Sequence, residues 1–274
     1  MLCTWRSSRA PVFGALFVSR RWLVRTRFSS KSARKRTSRH SDTPRMDTPH
    51  SRRRVSLIDY DWADLIDNED KVRMLIDPTS PYALAAANAM GRAMDDEIIN
   101  AADGTAFTGV AGGTSTSYSA GQTVDVQVGI SPAADTGLNV GKLRRAKQLL
   151  DVSEVEDEDR FCAINAKQLE NLLAETEITS SDYNIVKALV HGEVNTFLGF
   201  DFLRTERLEV DANADDKVLY WQKKGLLLGV GQNPIARISE RDDKNYAMQV
   251  FNSMAIGATR MEEVRVGYIE CHPS

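Results

Sequence analysis

From Pro81 to Ala102 the chain is dense in Ala, Leu and Met, the strongest helix formers, and Ser80-Pro81 supplies an N-cap followed by proline at the first helical position. The spacing predicts one long helix, closed by Asp103-Gly104. Tyr82, Ala86, Ala89, Ala93 and Glu97 share one side, with Met90, Met94 and Ile98 beside them, so close approach of a sheet or another helix is expected. Asp95, Asp96, Glu97 and Asp103 crowd the C-terminal turns, where the helix dipole opposes anions by about 0.3–1 kcal/mol each. Either cations compensate them or they form a solvated acidic face.

An extended arm precedes this helix. It reads Asp-Thr-Pro twice, at Asp42–Pro44 and Asp47–Pro49, and then Ser51-Arg52-Arg53-Arg54. Residues before proline are driven out of helical backbone. Val55, Leu57, Tyr60, Trp62, Leu65 and Ile66 alternate among acids, as in a strand returning from a loop. Arg52, Arg53 and Arg54 are the candidate cations for Asp95, Asp96 and Glu97, from the same chain or a neighbour. Together with Trp62 these residues form the candidate subunit interface. Trp62 and Trp221 are expected to pack inside, or to anchor a contact if exposed.

Of 274 residues, 42% are hydrophobic, enough for a sizeable core. No run approaches the roughly 18 uncharged apolar residues of a membrane span. Residues 1–40 hold eleven Lys and Arg and no acid, leaving 24 basic against 38 acidic residues in the remainder. An acidic body argues against a duplex-binding module. The basic start reads as a transit-like leader, as a basic arm, or as non-native sequence from an early start. Disorder is expected over most of residues 1–38. Cys3, Cys162 and Cys271 make no Cys-x-x-Cys pair, and Cys162 in Phe161-Cys162-Ala163-Ile164 is expected to be a buried, inert thiol.

Chemistry-bearing motifs are weak throughout. The glycines of 104–113 lack the Gly-Lys-Ser/Thr ending of a phosphate loop. His40, His50, His191 and His272 have no partner at helical metal spacing, and His191 suits a helix end. Glu154–Asp159 lacks the glycine and spacing of a calcium loop and reads as a solvated acidic linker. No catalytic residue, metal ligand or cofactor site is assigned.

Further elements expected are a short helix over 68–76, a loop or hairpin over 105–123, a short strand at Val124–Ile130 and a helix at Gly137–Leu150. A strand at Arg160–Asn165, a helix at Ala166–Ala174 and another at Asp182–Leu189 follow. Strands are then expected at Gly192–Phe202 and on to Leu208, turning at Leu198-Gly199. Others are expected at Val218–Trp221, Gly225–Val230, Ala236–Asp242, Tyr246–Ala258 and Glu263–Cys271. The mixture lacks regular βαβ alternation, so the class is α+β.

In order and spacing, Asp42–Gly104 is similar to the extended loop and spine helix of major capsid proteins of tailed bacteriophages. FCAINAKQLENLL (161–173), HGEVNTFLGFDFLRTERL (191–208), KVLYWQKKGLLLGVGQNPIARI (217–238) and FNSMAIGATRMEEVRVGYIEC (251–271) resemble later strands and helices of that family. The resemblance implies the Hong Kong 97-type capsid fold. It divides the chain into a basic segment 1–40, an arm and extended loop 41–67, and a peripheral domain 68–135 with its spine helix at 81–102. A mainly axial domain 136–215 and a return to the peripheral domain over 216–274 complete it. It implies a structural protein that assembles with itself, as pentamers and hexamers, into an icosahedral shell around double-stranded DNA, without sequence-specific binding. Scaffolding, portal and decoration proteins are further implied partners. A nanocompartment shell around a protein cargo and an organelle-targeted soluble enzyme are the alternatives.

Overall fold

In a computed structural model, the structure describes residues 18–19, 24–28, 50–67, 79–128, 135–174 and 196–273. Its elements run β1 (Val18–Ser19), β2 (Val24–Phe28), β3 (His50–Arg54), β4 (Ile58–Ile66), α1 (Thr79–Asp103), β5 (Ala106–Thr108), β6 (Thr114–Thr116) and β7 (Thr123–Val124). After these come α2 (Val140–Val152), β8 (Arg160–Ile164), α3 (Ala166–Ala174), β9 (Thr196–Phe197), β10 (Phe200–Arg204), β11 (Asp216–Gln222), β12 (Leu226–Arg241), β13 (Ala247–Arg260) and β14 (Val266–Cys271).

A six-stranded sheet ordered β7-β14-β11-β8-β10-β9 lies between two cores. Strand alternation sorts its side chains. Cys162, Ile164, Phe200, Phe202, Val218, Tyr220 and Ile269 turn to α2 and α3, meeting Leu143, Ala146, Leu150 and Leu172. Ala163, Leu219, Trp221, Val266 and Tyr268 turn the other way, toward α1 and a second sheet. That second sheet is ordered β1-β12-β13-β4, and Met254 and Ile256 of β13 press on Met90, Met94 and Ile98 of α1. The third sheet, β2-β3-β5-β6, is a small antiparallel ribbon.

The class is α+β as expected, and α1, β4, β8, α3 and the β9–β10 turn fall where the sequence puts them. In that turn Leu198 and Gly199 both take positive φ, the geometry that joins two strands tightly. The buried face of α1 differs in detail. Ala86, Met90, Met94, Ile98 and Ala102 face inward, while Tyr82 and Glu97 are only partly covered.

Several boundaries also differ, each for a local reason. The expected strands at Gly225–Val230 and Ala236–Asp242 are one strand, β12. Bulges beside Gln232 carry it past Pro234, whose missing N–H costs little because, among the described residues, β12 pairs there with β13 alone. Of Val124–Ile130, among the described residues up to 128, the first alone is strand. Asp125 Oδ1 then accepts the Gln127 N–H at 2.9 Å and folds the chain into a turn. Helix α2 begins at Val140, not Gly137, because Asn139 Oδ1 caps the Lys142 N–H at 2.8 Å. The final strand starts at Val266, after a 3₁₀ turn at Glu263–Arg265. Thr105–Thr123 resolves as the β5–β6 hairpin and a short turn. Within the stretch expected to be disordered, β1 pairs with β12 and β2 pairs with β3. The helices expected at 68–76 and 182–189, and His40 and His191, lie outside the described residues.

Three close approaches hold the ribbon to the body. The link Val55–Leu57 between β3 and β4 crosses the backbone of Gly229, Gly231 and Gly257. A Cβ on Gly229 would sit 3.1 Å from Val55 Cγ1, and one on Gly257 would collide with the Ser56 carbonyl oxygen. Elsewhere Lys142 of α2 is fully buried, and its Nζ donates to the carbonyls of Thr136 at 2.6 Å and Glu270 at 2.8 Å. Burial lowers its pKa. Gly257→Ala should destabilise the fold by about 1–3 kcal/mol, because backbone rather than a flexible side chain must move. Urea unfolding reads this as a lowered midpoint, and an unchanged midpoint would refute the crossing geometry.

Candidate subunit-contact surface

Alternation on β3 splits the arginine cluster. Arg53 points inward and is 4% exposed. Its Nε donates to the Met261 carbonyl at 3.1 Å and its Nη2 meets Glu263 at 2.6 Å. Arg52 is exposed, and Arg54 lies with its guanidinium 4.6 Å from the Phe107 ring centroid. Gly112 takes a positive φ in the β5–β6 turn and packs against the Arg54 stem, where any side chain would crowd it. Arg52, Arg53, Arg54 and Gly109–Gly112 enclose a groove of about 320 Å³.

Within the subunit, Asp96 and Glu97 are met by other groups than these arginines. Asp96 takes a bidentate pair with Arg207, and Glu97 Oε2 accepts the Tyr60 hydroxyl at 3.0 Å. Asp95 is buried at the root of the same turns, 8% exposed. The Arg207–Asp96 pair is more than one third exposed on each side and contributes little alone. Asp103 is met by Lys217 Nζ at 3.1 Å.

The strongest compensation comes from Arg260, at the end of β13 and fully buried. Its Nη1 donates to the carbonyls of Ala102 at 2.7 Å and Gly104 at 2.9 Å, so a cation caps the negative end of α1. Its guanidinium lies 5.6 Å from the Tyr118 ring, Tyr118 stacks on Tyr268 at 4.5 Å, and Lys217 sits 5.5 Å beyond Tyr268. Burial raises both hydroxyls, Tyr118 to about 12, so this stack is uncharged between its two cations. The sequence carried a signal for Arg260. It continues the parity of Met254 and Ile256 and so occupies a core-facing position where a charge requires partners.

Trp62, beside Asn252 across the β4–β13 register, packs partly buried on the α1 core, and Trp221 is buried against Phe161. The acids of 154–159 stay exposed, as expected of a solvated run, but cations tie several of them down. Arg160 is 2% exposed and reaches Asp151 at 2.7 Å and Asp157 at 3.0 Å. Arg265 and Lys224 hold Glu156, and the Arg265 hydrogen bond pulls its carboxyl from 4.5 to about 2. Cys162 and Cys271 are both buried, on strands separated by β11. Two strand spacings, about 9–10 Å, exceed disulfide reach. Burial pushes the Cys162 thiol up and the Cys271 thiol to about 12, so both are inert. His272 Nδ1 lies 3.1 Å from Asp215. Among the described residues no cluster of His, Cys, Asp and Glu is arranged to hold a metal, and no helix is long and apolar enough to cross a membrane.

A long helix thus lies beneath a long-stranded sheet, with an arginine ribbon fixed at its root. A family model described as phage capsid protein matches residues 24–272. The chain is also similar in fold to solved capsids. The cyanophage P-SCSP1u capsid superposes with a TM-score of 0.70 at 16% identity, over 96% of this chain and 87% of that one. The head of Helicobacter pylori bacteriophage KHP40 gives 0.70 at 9% identity, over 94% and 88%. The Ralstonia phage GP4 capsid gives 0.68 at 11% identity, over 96% and 88%. No curated protein sequence matches the chain significantly. The chain belongs to the phage capsid protein family, with the Hong Kong 97-type fold of tailed-phage major capsid proteins, the structural subunits of icosahedral shells.

Two outcomes follow from this geometry. Arg260→Met leaves the α1 carbonyls without their donor and should cost about 2–4 kcal/mol, read by thermal or urea unfolding, and a loss below ~0.5 kcal/mol would contradict the cap. The Glu156–Arg265 pair stabilises fully above the ordinary carboxyl pKa of 4.5 and is lost as pH falls toward about 2. Glu156→Gln should therefore flatten the fall in melting temperature across that window, and a parent and variant of equal slope would remove the pair from the account.

Proposed function

We propose that copies of this chain form pentamers and hexamers of a shell that encloses double-stranded DNA, with the β2–β3 ribbon reaching across a neighbouring subunit. The observation that carries this reading is the division of the arginines. Arg53 fixes the ribbon to its own body, and that leaves Arg52 and Arg54 on the opposite side of the strand. A cation presented outward from an acidic body suits contact with another acidic body. Each exposed pair is weak, but the contacts repeat over every copy.

On this reading β2 is the second leg of the extended loop, so the loop begins by Val24 and not at residue 41. Helix α1 is the spine of a peripheral domain over 68–135, residues 136–215 are mainly axial, and residues 216–274 return to the periphery. Assembly takes place in the host cytoplasm, with scaffolding, portal and decoration proteins as further partners, and the chain contributes structure without catalysis.

Particles purified from cells expressing the chain alongside its phage should protect DNA from nuclease, at a length set by the shell. Particles that hold a folded protein and no DNA would assign the chain to a nanocompartment instead. Arg52→Ala should leave subunit melting unchanged while lowering particle yield about tenfold by light scattering, since lost pairs multiply over the shell. A normal yield removes Arg52 from the contact. Arg53→Ala is a different experiment, because it strips Glu263 and the Met261 carbonyl of a buried partner and destabilises the subunit itself.

A further inference from the structure

Two short extended segments of this chain carry charges of opposite sign at alternate residues. On β3, Arg52 and Arg54 share the face turned away from the Arg53 anchor. The groove beside them, about 320 Å³, is lined by Arg52, Arg53, Arg54 and Gly109–Gly112, with no acid among them. Arg54 Nε is buried there without a hydrogen-bond partner among the described residues. On β4, Asp59 and Asp61 share the face opposite Tyr60 and Trp62, which turn to α1. Both aspartates are exposed, and neither meets a cation among the described residues. They stand on the open side of the β12-β13-β4 sheet, opposite Ala255 and Ser253 in the register.

We propose that the groove beside Arg52 and Arg54 receives Asp59 and Asp61 of a second copy of this chain. The proposal rests on the shell reading and names the surface to which the ribbon docks. Same-face residues two apart on a strand are about 6.6–6.8 Å apart, so the two arginines and the two aspartates have matching repeats. Guanidinium and carboxylate planes then meet in forked, charge-assisted pairs. Within one subunit the segments are joined by Val55–Leu57, lie close in sequence, and make no such pair. A polyanion is a poorer occupant, because the acidic strand and the acidic body repel it. Every copy carries both halves of the contact, so it can run head to tail from each copy to the next around the rings of the shell reading.

Charge exchange tests this. Arg52→Asp alone and Asp61→Arg alone should each lower particle yield about tenfold with unchanged subunit melting, and the two together should recover it to within about threefold. Arg54 is left in place because its stem packs on Gly112 and Phe107. The near-isosteric pair Asp59→Asn with Asp61→Asn guards against misfolding and should lower yield as well. Normal assembly of the asparagine variant, or loss in both single variants without recovery in the double, overturns the proposal. So does retention of a short DNA duplex by the parent and not by Arg52→Asp while both assemble normally, which would make the groove a seat for phosphate. A parent chain that forms no particles under the same conditions sinks the shell reading and this contact with it, whereas intact particles from every variant sink the contact alone.

Discussion

A buried guanidinium at the end of the long helix fixes the arrangement of everything around it. Desolvating Arg260 is costly unless its donors are used, and the last carbonyls of α1 use them. That places the end of β13 against the end of α1 and sets the depth at which Met90, Met94 and Ile98 reach the sheet. The same end of the helix carries Asp96 and Asp103, which pull in Arg207 and Lys217 from the strands of the central sheet and its following loop. A helix whose acids oppose its own dipole is thus bound into two sheets by cations drawn from far along the sequence.

Much of this architecture was legible in the residues. Ala-rich composition between Ser80-Pro81 and Asp103-Gly104 specified α1, and alternation specified β4 and the buried strand β8. The crowding of acids at the helix end left compensating cations and a solvated acidic face both open, and cations meet Asp96 and Asp103. Their identity was not legible, because Arg207, Lys217 and Arg260 meet the helix only through tertiary packing. The nearest arginines in sequence, Arg52–Arg54, belong to a strand in which alternate residues face opposite ways. One therefore became a buried anchor while its neighbours stayed outside.

Three features of the chain turn on partners outside the segment itself. Pro234 marks a break for local rules, yet at an edge with bulges the strand continues. Glu154–Asp159 looks like a solvated run, yet Arg160 and Arg265, one at the start of the next strand and one far away, bind it down. Segment 1–40 differs from the body in composition, yet Val24–Phe28 completes a ribbon with β3. In each case the partner lies outside the segment, on another strand or at the start of the next. The result is a subunit with an acidic body and a basic ribbon rooted on glycine-backed strands.

The shell-building role is tested most directly by imaging and weighing the purified full chain, by negative-stain microscopy with light scattering. The account predicts closed particles of uniform diameter built from rings of copies. A monodisperse single-chain species that persists across protein and salt concentration would contradict it.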